Sequence, residues 1–121
     1  MKRIIVAIVL LLSLSVGLFA SDAPFKLYLS TYYDAYYNTY NKKLKIVSTT
    51  DNLVINNVVV NRGQCKPYNV PKGYTVKDFL YRIGINPMSY GKWYRFIYSG
   101  DCDILEIEVD TNKGNFVFHT E

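Results

Sequence analysis

The chain has 121 residues, a formal net charge of +4, a pI near 9.0 and 16% aromatic residues. This length fits a single domain. The charge argues against a nucleic-acid-binding protein, because a phosphate-binding surface needs a denser cluster of cations than any found here.

Residues 1–20 predict a secretory signal peptide. Lys2 and Arg3 precede the apolar run of residues 4–20, after which the sequence turns polar. A cationic start, an apolar stretch and a small final residue are typical of such peptides, so we place cleavage after Ala20. An uncleaved anchor is the alternative, since about 17 apolar residues is the short limit of a membrane span. Cleavage predicts a periplasmic or secreted protein of 101 residues, net charge +2, without a stable membrane anchor.

Residues 21–43 predict a tyrosine-rich N-terminal arm or a short helix. Residues 28–40 hold six of the twelve tyrosines. Four of them follow the i, i+3, i+4, i+7 spacing of one helical face: Tyr33, Tyr36, Tyr37 and Tyr40. Tyrosine and threonine suit a strand equally well. Rings with polar tips favour contact with a protein or a sugar, and packing of the rings on the domain is the alternative.

Residues 44–121 predict a disulfide-linked β-domain. The runs LKIVST and LVINNVVVN are separated by a turn cluster and form a candidate β-hairpin. The second run stops at Asn61, Arg62 and Gly63, a structural turn motif in which Asn and Gly tolerate a positive φ.

A helical insertion is predicted near residues 75–84. Thr75 is a candidate N-cap with Asp78 at the third position, and Gly84 is placed to end the helix. One helical stripe carries the apolar residues Val76, Phe79, Leu80 and Ile83.

Three further strands are predicted after the helix. Residues 92–99 alternate, with Trp93 on one face and Phe96 on the other. Residues 104–111 alternate with Leu105, Ile107 and Val109 facing in, and residues 111–114 form a hairpin turn before residues 115–120. About five strands and one short helix predict a mainly β protein, a small antiparallel β-sandwich or barrel-like domain.

The two cysteines, Cys65 and Cys102, predict one disulfide bond. An exported protein meets an oxidising compartment, where an even number of cysteines usually forms disulfides. Closing a loop of about 38 residues stabilises by roughly 4 kcal/mol in the chain-entropy model. A redox or metal pair is disfavoured because the cysteines lack a CxxC spacing and have only His119 as a further ligand.

No residue set in the sequence predicts catalysis, a metal site or a cofactor. His119 is the only histidine, so any Ser-His or Cys-His site would have to use it. Alternation spreads Glu106, Glu108 and Asp110 along the solvent face of one strand, where they do not converge on a calcium ion or form a catalytic pair. An exposed strand-end histidine and a solvated acidic strand are the simpler interpretations.

Cations and aromatic residues also suggest ligands. Lys42, Lys43 and Lys45 form the only basic cluster, and aromatic residues beside cations bind single-stranded nucleic acid or anionic glycans. Nucleic acid is disfavoured because three lysines are few. Four later aromatic residues form a candidate carbohydrate platform, with packing in the core as the alternative: Tyr90, Trp93, Tyr94 and Tyr98.

The strings DNLVINNVVVNRGQC and SGDCDILEIEVDTNKGNFVF carry a resemblance. They resemble a set of small exported bacterial proteins, some associated with mobile elements. The shared pattern is a VNRG strand end with a cysteine two residues later, and a second cysteine before a TNxG hairpin. It covers roughly residues 44–64 and 99–118 and implies a single-disulfide β-domain, without implying an activity. Asn61, Arg62 and Gly63 match it as a structural signature.

These patterns together predict a non-enzymatic binding module that contacts an envelope or extracellular protein; an inhibitor or immunity-type protein is one form. The expected contact regions are the tyrosine tract and the insertion of residues 68–90. The candidate binding residues are Tyr33, Tyr36, Tyr37, Tyr40, Tyr90 and Trp93. A carbohydrate or cell-wall binding domain that uses the same aromatic residues is the alternative, and a small hydrolase is the least favoured one.

Overall fold

Two four-stranded sheets form the fold. The computed structural model describes the backbone of residues 3–8, 15–18 and 23–120, and the side chains of residues 23–120. The strands are β1 Arg3–Ile8, β2 Ser15–Leu18, β3 Phe25–Asp34, β4 Thr39–Ser48, β5 Ile55–Val60, β6 Trp93–Ser99, β7 Glu106–Thr111 and β8 Gly114–Thr120. A 3-10 turn, Asn61–Gly63, follows β5, and one α-helix, α1 Val76–Arg82, lies between β5 and β6.

The first sheet has the strand order β1-β8-β7-β5, and the second has the order β2-β3-β4-β6. All pairings are antiparallel except that of β1 with β8. Neither sheet closes on itself over the described residues. The prediction of a mainly β, sandwich-like domain is therefore confirmed, and its barrel alternative is wrong.

The core lies between the inner faces of the two sheets. Leu27, Leu44 and Phe96 from the second sheet are fully buried, as are Ile107 and Phe118 from the first. Alternate strand positions supply these residues because successive side chains point to opposite faces of a sheet. Ring contacts join the sheets: the ring centroid of Phe25 lies 5.5 Å from that of Phe116 in an edge-on contact and 5.7 Å from that of Phe118 in a tilted one.

The tyrosine-rich tract is a β-hairpin, so the prediction of an arm or short helix for residues 21–43 is wrong. β3 pairs with β4 from Phe25 opposite Ser48 to Asp34 opposite Thr39. The predicted domain boundary between residues 43 and 44 falls inside β4. The physical reason is burial: the apolar residues of β3 and β4 recur every second position, whereas the helical spacing of the tyrosines continues through a turn at residues 35–38.

The predicted hairpin between LKIVST and LVINNVVVN is also wrong. LKIVST belongs to β4, whose two edges are occupied by β3 and β6. The INNVVV part of the second run is β5, which pairs with β7 in the other sheet. The chain crosses between sheets at residues 49–54, so residues 23–120 contain six strands instead of five.

The elements after residue 74 agree more closely with the predictions from sequence. The Thr75 hydroxyl accepts a hydrogen bond from the backbone N–H of Asp78 at 3.1 Å, which confirms the predicted cap of α1. The hairpin turn between β7 and β8 is also confirmed, with Thr111 opposite Gly114. Leu105 does not face in; it is exposed because β7 begins one residue later, outside the expected alternation.

The predicted disulfide is confirmed. Cys65 and Cys102 are bonded, with Cα atoms 6.1 Å apart, and join the exit of β5 to the segment that leads into β7. Within the predicted signal peptide, β1 pairs with β8 and β2 pairs with β3 at the sheet edges. The predicted cleavage point after Ala20 lies outside the described residues. No helix in the described ranges is long and apolar enough to cross a membrane.

Candidate binding surface

The tip of the β3–β4 hairpin presents a cluster of exposed tyrosines. A carboxylate oxygen of Asp34 accepts backbone N–H groups of Tyr36 at 3.0 Å and Tyr37 at 3.3 Å. Asn38 adopts a left-handed φ of 53°, which a short polar side chain tolerates. These two polar residues therefore build the turn that carries the aromatic rings.

The tip tyrosines contact one another more than they contact the core. Their exposed fractions run from 47 to 86%: Tyr33, Tyr36, Tyr37 and Tyr40. The ring centroids of Tyr33 and Tyr40 lie 5.1 Å apart, and those of Tyr36 and Tyr37 lie 4.7 Å apart, both edge-on. The Tyr33 hydroxyl also donates to the Asn38 side chain. The alternative in which these rings pack on the domain is therefore wrong, because each side chain is exposed.

A close backbone approach anchors the base of the tip. A Cβ atom on Gly100 would clash with the carbonyl oxygen of Tyr40. Only glycine permits this approach of the turn after β6 to β4. The approach places the backbone of Tyr40 against the turn that follows β6, while its ring remains exposed.

Tyr68 extends the tyrosine cluster sideways. The backbone N–H of Tyr68 donates to Ile97 O at 2.7 Å, and the Asn69 side chain accepts from Ile97 N at 3.0 Å and donates to Arg95 O at 2.9 Å. Residues 68–69 thus occupy the edge of β6 in place of a further strand. A shallow depression of about 400 Å³ lies between Tyr37 and Tyr68.

A larger groove begins on the other side of Tyr68. It has a volume of about 840 Å³ and lies between β5 and the loop of residues 63–76. Val58 and Val59 form one wall, and Tyr68 and Tyr74 line the other side. Tyr68 therefore joins the depression at the hairpin tip to the groove, and the two form one continuous partly aromatic surface.

The remaining predicted binding residues lie elsewhere. Trp93 is 46% exposed on β6, at the opposite end of the second sheet from the tip. Tyr90 is exposed in the loop before β6, where its backbone N–H donates to the Asp51 carboxylate at 3.0 Å. Tyr98 is buried, so it cannot belong to a carbohydrate platform with Trp93.

The turn motif connects β5 to the start of β7. The Asn61 side-chain oxygen accepts the backbone N–H of Leu105 at 2.8 Å and of Glu106 at 3.0 Å, and its nitrogen donates to Asp103 O at 2.7 Å. Gly63 adopts a φ of 93°, which favours glycine. These bonds lie near the disulfide, so the motif positions the backbone of residues 103–106. The sequence predicted the turn but not these distant hydrogen-bond partners.

Glu106 contacts a guanidinium group and an imidazole ring on the outer face of the first sheet. Arg62 Nη2 lies 3.3 Å and His119 Nε2 lies 3.1 Å from Glu106 Oε1. The Arg62 hydrogen bond, with a smaller contribution from His119, lowers the pKa of Glu106 against the opposing effect of burial. This cluster places a histidine beside an acid, but within residues 23–120 no hydroxyl group is hydrogen-bonded to the imidazole.

We expect the contribution of Glu106 to stability to depend on pH. Its pKa is lowered on folding, so the contribution is fully present above the ordinary glutamate pKa of about 4.3 and is lost as pH falls through the folded value. Glu106→Gln should reduce the free energy of unfolding by about 0.5–1 kcal/mol at pH 7 and by much less at pH 3. Urea unfolding at both values measures this difference. The exposed Asp101→Asn variant is the control, and an equal pH response of the two variants would contradict the prediction.

The chain matches no protein-family model, no curated protein and no solved structure. Among the described residues, no three His, Cys, Asp or Glu side chains are grouped closely enough to hold a metal ion.

Proposed function

We propose that this protein is an exported, non-enzymatic binding module that contacts another protein through the tip tyrosines and Tyr68. One observation carries the proposal: four tyrosines in and beside a hydrogen-bonded turn have exposed fractions of 47–86%. Binding to an envelope or extracellular partner, as an inhibitor or immunity-type protein does, is one form of this function.

The chemistry of tyrosine supports a protein partner. A tyrosine ring offers a large apolar area with a polar tip and loses little conformational entropy when it is immobilised. Tyrosine is accordingly enriched at the energetically important centres of protein interfaces. The edge-on pairs Tyr33–Tyr40 and Tyr36–Tyr37 already limit ring motion before a partner arrives, which reduces the ordering cost of binding.

The shape of the surface supports contact with a partner larger than a small molecule. The surface has one protrusion, the hairpin tip, and two concave regions, the depression beside Tyr68 and the groove along β5. A protein surface or an extended segment of one can contact all three. The groove is formed by part of the 68–90 insertion, the second expected contact region.

The disulfide supports export. Disulfide bonds form and persist mainly in oxidising compartments, which include the periplasm and the extracellular space. The Cys65–Cys102 bond and the apolar N-terminal segment therefore agree on a periplasmic or secreted location.

The test uses the tip tyrosines and a matched tyrosine elsewhere. We expect a cross-linkable form of the protein to capture a defined partner from an envelope or extracellular fraction, and the purified partner to bind it directly. Tyr36→Ala with Tyr37→Ala should weaken this binding at least tenfold, because both rings are removed from the interface. Tyr81→Ala on α1, also an exposed tyrosine, should leave it unchanged.

Thermal melting of each variant separates lost binding from lost folding, and the melting temperatures should agree because none of the three rings is buried. Equal affinity of the double variant and the wild type would remove the tip from the proposal. An equal loss on Tyr81→Ala would also contradict it.

A further inference from the structure

The outer face of the second sheet carries a second surface, which adjoins the depression at the hairpin tip through Tyr32 and extends along the strands to Trp93. Strand pairing places Lys45 directly between Tyr28 on β3 and Arg95 on β6, and places Lys43 between Ser30 and Ile97. Because side chains alternate along a strand, all of these residues point away from the core. Lys45 lies six positions along β4 from Thr39 at the tip, a distance of roughly 20 Å.

The lysine cluster expected from sequence is divided by this alternation. Lys42 points to the opposite face of β4, where its ammonium group donates to the backbone oxygen of Cys102. Arg95 takes its place, since β6 brings it beside Lys45. The basic group at the centre of the outer face is therefore Lys43, Lys45 and Arg95, and Lys26 lies on the same face near the start of β3, opposite Val47.

These cations lack acidic partners among the described residues. Lys45 and Arg95 are directly opposite each other, an arrangement of like charges that destabilises a sheet. The only acid on this face of β3, β4 and β6 is Asp34 at the tip, whose carboxylate accepts backbone N–H groups. The ion pairs found within residues 23–120 both involve Glu106 on the other sheet. An anion bound here would relieve the repulsion.

Aromatic rings hold the two lysines in place. The Lys45 ammonium nitrogen lies 4.5 Å from the centroid of the Trp93 ring, and that of Lys43 lies 4.9 Å from the Tyr32 centroid. A cation over a ring face is attracted to it and keeps its charge and its N–H donors available to a ligand. An ion pair with a carboxylate of the protein would instead neutralise the charge and occupy the N–H donors.

The cations border a depression that also presents hydroxyl groups. It has a volume of about 370 Å³, and its lining includes Tyr28, Ser30, Lys43, Lys45, Trp93 and Arg95. The hydroxyls of Tyr28 and Ser30 can both donate and accept hydrogen bonds, as the hydroxyls of sugars do. Trp93 adds an exposed apolar surface beside them.

We propose that this face, which we call the cation–aromatic face, binds an acidic polysaccharide. The ligand's carboxylates bind Lys43, Lys45 and Arg95, its hydroxyls bind the polar side chains, and the Trp93 ring holds Lys45 in position. Single-stranded nucleic acid fits less well, because base stacking needs free ring faces and lysine ammonium groups lie over the rings of Trp93 and Tyr32.

The test measures binding of the purified protein to polygalacturonate, with neutral dextran and oligo-dT as the other probes. We expect binding to polygalacturonate that weakens with salt, because charge pairing contributes to it, and no binding to dextran. Lys43→Ala with Lys45→Ala should weaken it at least tenfold. Trp93→Ala should weaken it severalfold without changing the net charge.

A matched control removes two exposed lysines elsewhere. Lys77→Ala with Lys113→Ala lowers the net charge by the same amount and should leave binding unchanged. Equal losses in the two double variants would show attraction by overall charge and overturn the proposal. No binding to polygalacturonate, or tighter binding to oligo-dT, would overturn it as well.

The outcome is independent of the proposed protein partner. The Tyr36→Ala and Tyr37→Ala variant should bind polygalacturonate as the wild type does, because the tip lies at the other end of the sheet. Failure of polysaccharide binding would leave the protein-binding proposal standing, and loss of protein binding in the tyrosine variant would leave this one standing.

Discussion

Replacing Cys65 and Cys102 together with serine is expected to lower the free energy of unfolding by about 4 kcal/mol. The bond closes a loop with a sequence separation of 37 and so restricts the unfolded chain. The loss is large against the total stability of about 5–15 kcal/mol that is usual for a domain. It corresponds to a fall in melting temperature of roughly 15–30 °C.

Urea unfolding under non-reducing conditions measures this loss. Wild type treated with a reductant should reproduce the double variant, because both lack the covalent link. The same reductant should leave the double variant unchanged, which controls for other effects of the reagent. Wild type with the same unfolding midpoint before and after complete reduction would contradict the prediction.

Asn86→Ala is expected to lower the free energy of unfolding by about 3 kcal/mol. Asn86 is buried, and its side-chain oxygen accepts the backbone N–H of Ile55 at 3.0 Å. Its nitrogen donates to Ile55 O at 2.9 Å and to Lys77 O at 3.2 Å. The amide thus completes the edge of β5 and links it to α1. Truncation leaves buried backbone groups without partners, which is more costly than the loss of an exposed hydrogen bond.

Asn112→Ala is the matched control for Asn86→Ala. Its side chain also bridges two backbone groups, accepting from Val54 N at 2.9 Å and donating to Asn52 O at 2.9 Å, but it is exposed. Water can replace its bonds, so we expect a loss of at most about 1 kcal/mol. Urea unfolding of the two variants compares them, and equal losses would show that burial is not the cause of the difference.

The hydrogen bonds of Asn86 also protect part of one edge of the first sheet. An unpaired strand edge is a template for pairing with another chain. Asn86 occupies the Ile55 end of β5, and Cys65 forms an isolated bridge to Val60 at the other end. Between these two points the groove beside Val58 and Val59 remains open, which is where the proposed partner would reach the strand.

Local sequence chemistry determined several features without reference to the rest of the chain. Thr75 and Asp78 predicted the start of α1, because at a helix N-terminus the cap hydroxyl lies beside the backbone N–H three residues later. The turn after β7 followed from a short run that contains Asn112 and Gly114. The disulfide followed from the number of cysteines, since Cys65 has only one possible partner.

Only the tertiary structure decided which strands are neighbours. LKIVST and INNVVV are close in sequence and both suit a strand, so a hairpin was the simplest expectation, yet β4 and β5 lie in different sheets. The choice depends on burial of whole sheet faces against each other, to which residues far along the chain contribute. The hydrophobic pattern within one segment does not identify the strand with which that segment pairs.

The candidate sites also combine features that the sequence determined with features that only the fold determined. The sequence by itself determined that tyrosines concentrate in residues 28–40 and that lysines follow them. Only the fold decided that four tyrosines share a hairpin tip, that Lys42 leaves the basic cluster, and that Arg95 joins it. Residue type is a local property, whereas the face on which a side chain lies depends on register between strands that are distant in sequence, such as those of Lys45 and Arg95. Register is settled by the packing of the common core.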